Sequence, residues 1–325
     1  MKMIDPAWPE DEALDPDTKG FVRNLFRDCK AASKMLGCDE ARYLVDMYYA
    51  VQHFRIQSAA QIRSMVGEPR SSLEAVAELM RIGEAGIKSN LGSFAATFAV
   101  GQWLQAIVGI GPVISAGLLA HFDVRKARTC GHFWRFAGLD PTLRWNKGEK
   151  RPWNASLKTL CVFKAGESFV KFQNHKQDVY GTIFKNRKLQ ELERNESGAF
   201  SDQAGQILAT KKIGKSTEAY KHLVIGRLPP AHIHARARRY TVKLFVSHLH
   251  HIMHLDYFGS DPPIPFAFTS GCDGDHRHFI EPPMLLAWKA GVFGGAPLKE
   301  LVDRKSVKPR SAIETEPVSA ARAKD

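Results

Sequence analysis

The 325-residue chain is basic, with 46 Lys and Arg against 34 Asp and Glu and a formal net charge of +12. Its hydrophobic content of 44% supports a buried core and excludes global disorder, while the charge favours polyanionic partners, nucleic acid first. Cys29, Cys38, Cys130, Cys161 and Cys272 are scattered without a Cys-x-x-Cys pair, which argues against a disulfide scaffold and for a reducing compartment.

Residues 1–17, rich in Pro and Asp, read as an irregular lead-in without an apolar signal core. No stretch of the chain approaches the length of a membrane span, so a cytoplasmic, nucleoid-associated protein without a membrane partner is expected. A helical, coiled-coil-like region is expected over 18–100, with two helices in 18–66. Leu44, Met47/Tyr48, Val51 and Ile56 recur near helical spacing, and Arg42, Gln52, Arg55, Gln57, Gln61 and Arg63 fill the other side. This amphipathic helix over 41–65 suits pairing with another helix and a homo-oligomer. Glu68-Pro-Arg-Ser-Ser breaks it, Ser71 or Ser72 offers a cap, and two more helices are expected over 72–105.

Residues 103–122 read as helix, tight turn, helix. Leu104 and Ile107 form an apolar stripe before the turn; Val113, Ala116, Leu119 and Ala120 form one after it. Gly109-Ile110-Gly111 makes the turn, and Pro112 takes the first helical position, where a missing amide costs nothing. The free amides of the second helix would then offer a phosphate site at the positive end of its dipole. This pattern resembles a helix-hairpin-helix, a grip on nucleic-acid backbone without sequence readout. A packing corner built on a Gly turn is the other reading.

A helix ending at Gly138 before Pro141 is expected next, followed by a basic, aromatic loop. A helix follows from about 155 to 172, then a polar, punctuated stretch over 173–230 and one strong helix over 232–258. Residues 259–302 read as a Pro-rich irregular segment and 303–325 as a disordered tail. Period-2 alternation is almost absent, so the fold is expected to be mainly α.

The order of these signals resembles a known family. A helical pair with Arg42-x-Tyr-Leu-Val leads to Gly109-Ile-Gly-Pro, then Phe136-Ala-Gly-Leu-Asp-Pro. A basic loop ends in Asn154-Ala-x-Leu157, and a late helix carries Ala237-Arg-Arg-Tyr-Thr-Val-Lys-Leu-Phe. These residues resemble the C-terminal part of the DEDD-type insertion-sequence transposases, the bridge-RNA-guided recombinases. The resemblance covers about 40–175 and 231–255, with 101–258 as the helix-hairpin-helix-containing transposase domain and about 176–230 as an insertion. It implies a role in DNA transposition or recombination, with DNA or structured RNA as partner. Two departures matter. Residues 1–40 are too short and too helical for the family's RuvC-like domain, whose carboxylates hold metals ~3.5–4 Å apart. The family's Ser-Gly nucleophile has no counterpart in the loop Trp145-Asn146-Lys147-Gly148, and Ser156 lies beyond it. On its own the chain therefore reads as a binder more than an enzyme, with a separate nuclease subunit as a further partner.

The residues expected to touch nucleic acid are Gly109, Ile110 and Gly111 in the turn, and Arg144, Lys147, Lys150 and Arg151 with Trp145 and Trp153 in the loop. Cations there neutralise phosphates, and indoles stack on unpaired bases. Arg236, Arg239 and Lys243 add a stripe on one face of the late helix, from which Arg238 turns away. No cofactor is firmly implied, and a divalent metal only if the chain is catalytic. A structural zinc would draw on Cys272, His276 and His278 with His250 and His254, whose i,i+4 spacing shares a helix face. Two alternatives stand beside the binder: an active strand-transfer transposase with unplaced carboxylates, and an oligomeric protein-interaction scaffold.

Overall fold

The computed structural model describes residues 16–67, 69–264 and 279–304. The expectations for the first fifteen residues, for Cys272, His276 and His278, and for the tail beyond 304 lie outside the described residues. The fold is mainly α; among the described residues the only β pairing is an isolated bridge, Phe98 to Ala296.

Three helices form the N-terminal layer: α1 (Pro16–Ser33), α2 (Cys38–Ser64) and α3 (Ser71–Ala96). Helix α2 turns Ala41, Val45, Tyr48, Ala59 and Ile62 inward and packs on α3 and on α5 (Pro112–His121). The charged seam between α2 and α3 is closed by Glu84, which is buried and accepts from Gln52 at 2.8 Å and Arg55 at 2.5 Å. The sequence placed a cap at Ser71 or Ser72; the residue preceding the first turn is instead Arg70, and no side chain caps the helix.

A short break at Thr97-Phe98 leads into α4 (Ala99–Ala106), where Gly101 lies so close to the Ala95 carbonyl that no side chain fits. The stripes read from the sequence are the packing surfaces: Leu104 and Ile107 before the turn, Val113, Ala116, Leu119 and Ala120 after it, all buried. Helix α6 (Cys130–Phe136) ends as a Schellman motif, with Leu139 N–H on the Trp134 carbonyl at 2.8 Å and Gly138 N–H on that of Arg135 at 3.2 Å.

Residues 155–171 are one helical run made of α7 (Ala155–Thr159), a π-helical turn (Leu160–Ala165) and α8 (Gly166–Lys171). Asn154 caps it by accepting from the Leu157 amide at 2.9 Å. Helices α9 (Tyr180–Glu196), α10 (Ser201–Thr210) and α11 (Glu218–Val224) occupy the stretch read as polar and punctuated. They enclose a small core of their own: Phe200, Ala204, Leu223, Leu228 and Ile233. Asn195 stitches it, accepting from Leu228 N–H at 2.8 Å and donating to the Leu228 carbonyl at 3.0 Å.

Helix α12 (Pro230–Phe258) starts with Pro at its first position and stops at Gly259, whose φ of 72° is left-handed. It packs on α6, α8 and α9. The expectation of irregular structure through 259–302 is corrected by α13 (Leu285–Lys289) and α14 (Leu298–Asp303). Both are single short turns, too brief for a helical period to stand out among Pro and Gly. The segment docks back on the start of the fold. Ala296 exchanges backbone hydrogen bonds with Thr97 and Ala99 at 2.7 and 3.0 Å, and Asp256 accepts from the Leu298 amide at 2.6 Å. One hydrophobic cluster therefore runs from Leu36 to Leu301, through the boundary drawn at 100/101. Among the described residues no helix is long and apolar enough to cross a membrane.

Candidate nucleic-acid interface

The loop after α6 is built around two indoles. Gly138, at φ 64°, leaves room for Trp153: a Cβ there would meet the indole at 2.8 Å. Lys158 Nζ covers the same indole at 4.2 Å. Trp153 is thus an anchor held between backbone and cation, and Asn154 N–H closes the loop onto the Phe136 carbonyl at 2.9 Å. Trp145 stands outside it, 40% exposed, edge-on to Trp153 with ring centres 6.4 Å apart. Its indole N–H donates to the Glu149 carbonyl at 2.7 Å, and the Arg151 guanidinium stacks 5.0 Å from its ring centre. Arg144, Lys147 and Lys150 are exposed along the same loop.

Helix α12 meets this loop through the 155–171 run. Gly166 makes the crossing close, since a Cβ would come to 2.9 Å from Val242 and 3.1 Å from Arg238. The crossing brings Arg239 into electrostatic range of Lys158, and Lys158 into range of Arg151. Burial first, then Arg239 and Arg151, pull the Lys158 ammonium below the usual lysine range. Burial and Arg236 depress Arg239 in the same sense. Among the described residues no ion pair engages Arg144, Lys147, Lys150, Arg151, Lys158, Arg239 or Lys243. Lys243 is half-buried 4.1 Å over Trp134, and burial lowers its ammonium while Asp140 and Cys130 oppose the shift.

The stripe on α12 is divided by acids from other helices. Arg236 donates to the buried Glu191 carboxylate at 2.7 Å and stacks 4.3 Å from Phe200. Arg187 and Arg194 join the same carboxylate, so three guanidiniums share one acid. Arg238 pairs with Glu167. The face left to cations is therefore Arg239 with Lys158 and the loop, rather than the full 236–239–243 row. Lys158 was missed by the sequence reading, which stopped the basic segment at Trp153. The available signal was a lysine one turn after the Asn154 cap, on the side of the helix that returns toward Trp153.

The turn at Gly109 lies further along the same helical run. Gly109 adopts φ 91°, and its carbonyl accepts from Ser168 Oγ at 2.6 Å. Gly111 is extended, with open space where a side chain would stand, and Ile110 is buried. Of the three turn residues, Gly111 thus leaves its backbone approachable, while Ile110 and the Gly109 carbonyl hold the corner together.

His250 is buried; its Nε2 donates to the Ala127 carbonyl at 2.8 Å, while His254 Nδ1 faces the Ser260 carbonyl at 2.8 Å. Among the described residues no group of three or more His, Cys, Asp or Glu is arranged to hold a metal. The buried carboxylates serve structural partners, Glu84 and Glu191 the arginines named above and Asp178 the Gly181 amide at 2.9 Å, and the half-buried Asp256 holds the Leu298 amide.

No family model matches the sequence, and neither a curated protein nor a solved structure matches it.

Proposed function

We propose that this chain grips the backbone of nucleic acid, DNA in the first place, as a relative of the transposases whose C-terminal part it resembles. The observation that carries the reading is the pair of cation–indole stacks in the loop, Arg151 on Trp145 and Lys158 on Trp153 with the two indoles edge-on to each other, joined by Arg239 within electrostatic range of Lys158 and without an ion-pairing acid among the described residues. Cations gathered without an acid are completed by an anion, and phosphate is the anion that rewards guanidinium and ammonium groups together. Trp145, exposed beside Arg151, suits stacking on an unpaired base. Contacts of this kind position a strand without reading its sequence.

Self-association through the 41–65 helix belongs to the same reading. The inner face of α2 is taken by α3 and α5, while Tyr43, Met47 and Phe54 stay exposed in a row at heptad-like spacing. A second copy presenting the same row would cover it.

The test is fluorescence anisotropy of the chain on duplex DNA, single-stranded DNA and a structured RNA across a salt series. Arg239→Gln and Lys158→Gln should each weaken binding on every sequence and lower the log–log salt slope by about one. Unchanged affinity and slope in both variants would defeat the assignment, and a chain that binds none of the three would leave the scaffold reading.

A further inference from the structure

Helix α1 carries a second basic surface that the loop and α12 do not explain. Lys19, Arg23, Arg27 and Lys30 follow one another at i, i+4, i+8 and i+11, a spacing that keeps all four within one helix face ~80° wide. Arg23, Arg27 and Lys30 of that row line a groove of about 430 Å³ between α1 and α3. Its far wall is Arg81, and its floor is Ile82, Ala85 and Gly86. The groove is fixed in shape, because the Phe26 ring lies directly on Gly86, where no side chain fits. Among the described residues, Glu78 stands beside it. Glu78 takes a two-pronged grip from Arg81 at 2.6 and 2.7 Å. That grip first, then the fields of Lys19 and Arg23, hold its carboxyl below the usual range. Arg23 and Lys30 stand exposed on the groove, and among the described residues neither makes an ion pair.

We propose that this groove seats a second stretch of nucleic-acid backbone, in addition to the loop and α12; the inference rests on the nucleic-acid reading above. Eleven residues of helix advance about 16 Å. Phosphates of one strand advance ~3.4 Å each along a duplex, so the row runs beside roughly five of them. A strand lying in the groove meets Lys or Arg on one wall and Arg81 on the other, over Ile82, Ala85 and Gly86, with Ser89 as a further polar residue in the lining. A lipid surface would need the cations and an apolar face turned the same way. The exposed apolar residues of α1, Phe21 and Leu25, fall on the opposite side of the helix from the basic row. The concave groove thus favours a strand over a flat bilayer.

The test uses the full chain on a duplex of about 30 base pairs, with salt varied from about 50 to 200 mM. Arg23→Gln/Lys30→Gln removes two exposed charges of the row that make no ion pair among the described residues, so the melting temperature should hold. The salt slope should fall by about two, and Arg23→Lys/Lys30→Arg should restore it. Lys147→Gln/Arg151→Gln in the loop should lower the slope independently, and combining the pairs should add the two losses. A wild-type slope in Arg23→Gln/Lys30→Gln overturns the inference and leaves the proposed function standing; absence of salt-dependent binding in the parent chain removes both. Loss of binding to phosphatidylserine vesicles with an unchanged slope on DNA would assign the groove to a membrane and overturn the inference as well.

Discussion

At the scale of single residues, the histidines are the most informative group. His248 and His250 lie inside α12's packing face, each with one ring nitrogen on a backbone carbonyl. Tyr180 hydroxyl lies 2.8 Å from the other nitrogen of His248. With Nε2 donating to Ile280, the hydroxyl donates to Nδ1, which fixes the neutral tautomer. Burial pulls both imidazoles down from 6.5 to about 4. A base whose folded pKa is depressed contributes stability that is fully present above the unfolded value and lost as pH falls toward the folded one. The melting temperature should therefore be level above about pH 7 and decline from about 6.5 to about 4, with a total cost of about 3 kcal/mol per histidine. His250→Gln, which keeps a donor for the Ala127 carbonyl, should flatten part of that decline in a calorimetric pH series. An unaltered decline would assign the acid sensitivity to other groups. From the sequence His250 could also be read with His254 as a zinc ligand beside the simpler packing role, because i,i+4 spacing says which rings share a face and nothing about the carbonyl opposite them.

At the scale of elements, the legible features were those with a long period or a strong stop. The two helices either side of the Gly109 turn, the helix ending at Gly138, the run from 155 and the long helix toward 258 were readable from apolar stripes, Gly and Pro. The π turn inside 155–171 was not, because one residue per turn of extra slack leaves the hydrophobic pattern nearly intact. Nor was the partitioning of α12's arginines, since Glu191 and Glu167 come from helices 45 to 71 residues away in the chain. Helix α2 gives the element-scale prediction. Met47→Glu/Phe54→Glu should shift the chain toward monomer in sedimentation velocity, with the α2–α3 packing and the circular dichroism of the monomer unchanged. A parent chain that sediments as a monomer at all accessible concentrations would exclude the α2 row as an oligomer seam.

At the scale of the whole molecule, the main core joins residues far apart in the chain. Trp103 donates its indole N–H to the Pro283 carbonyl at 2.8 Å, and Phe98 and Ala99 meet Ala296. The mainly α class was legible because helix signals dominate every long stretch. The arrangement was not, since nothing local in 283–301 announces that it closes against 97–104. Gly295 is the clearest trace of that closure: it lies on the backbone of Phe98 and Ala99, where any side chain would collide.

That closure sets a clock on biosynthesis. A ribosome emits the chain from its N-terminus, and residues 97–104 leave the exit tunnel long before Leu298 and Leu301 do. Until 283–296 has emerged, Phe98 and Trp103 lack the neighbours that Pro283, Gly295 and Ala296 supply. Nascent chains stalled before Leu298 should be cut by added protease within 97–104, while released full-length protein resists there. A segment near 296–301 thus acts as the bolt on a corner formed about two hundred residues earlier.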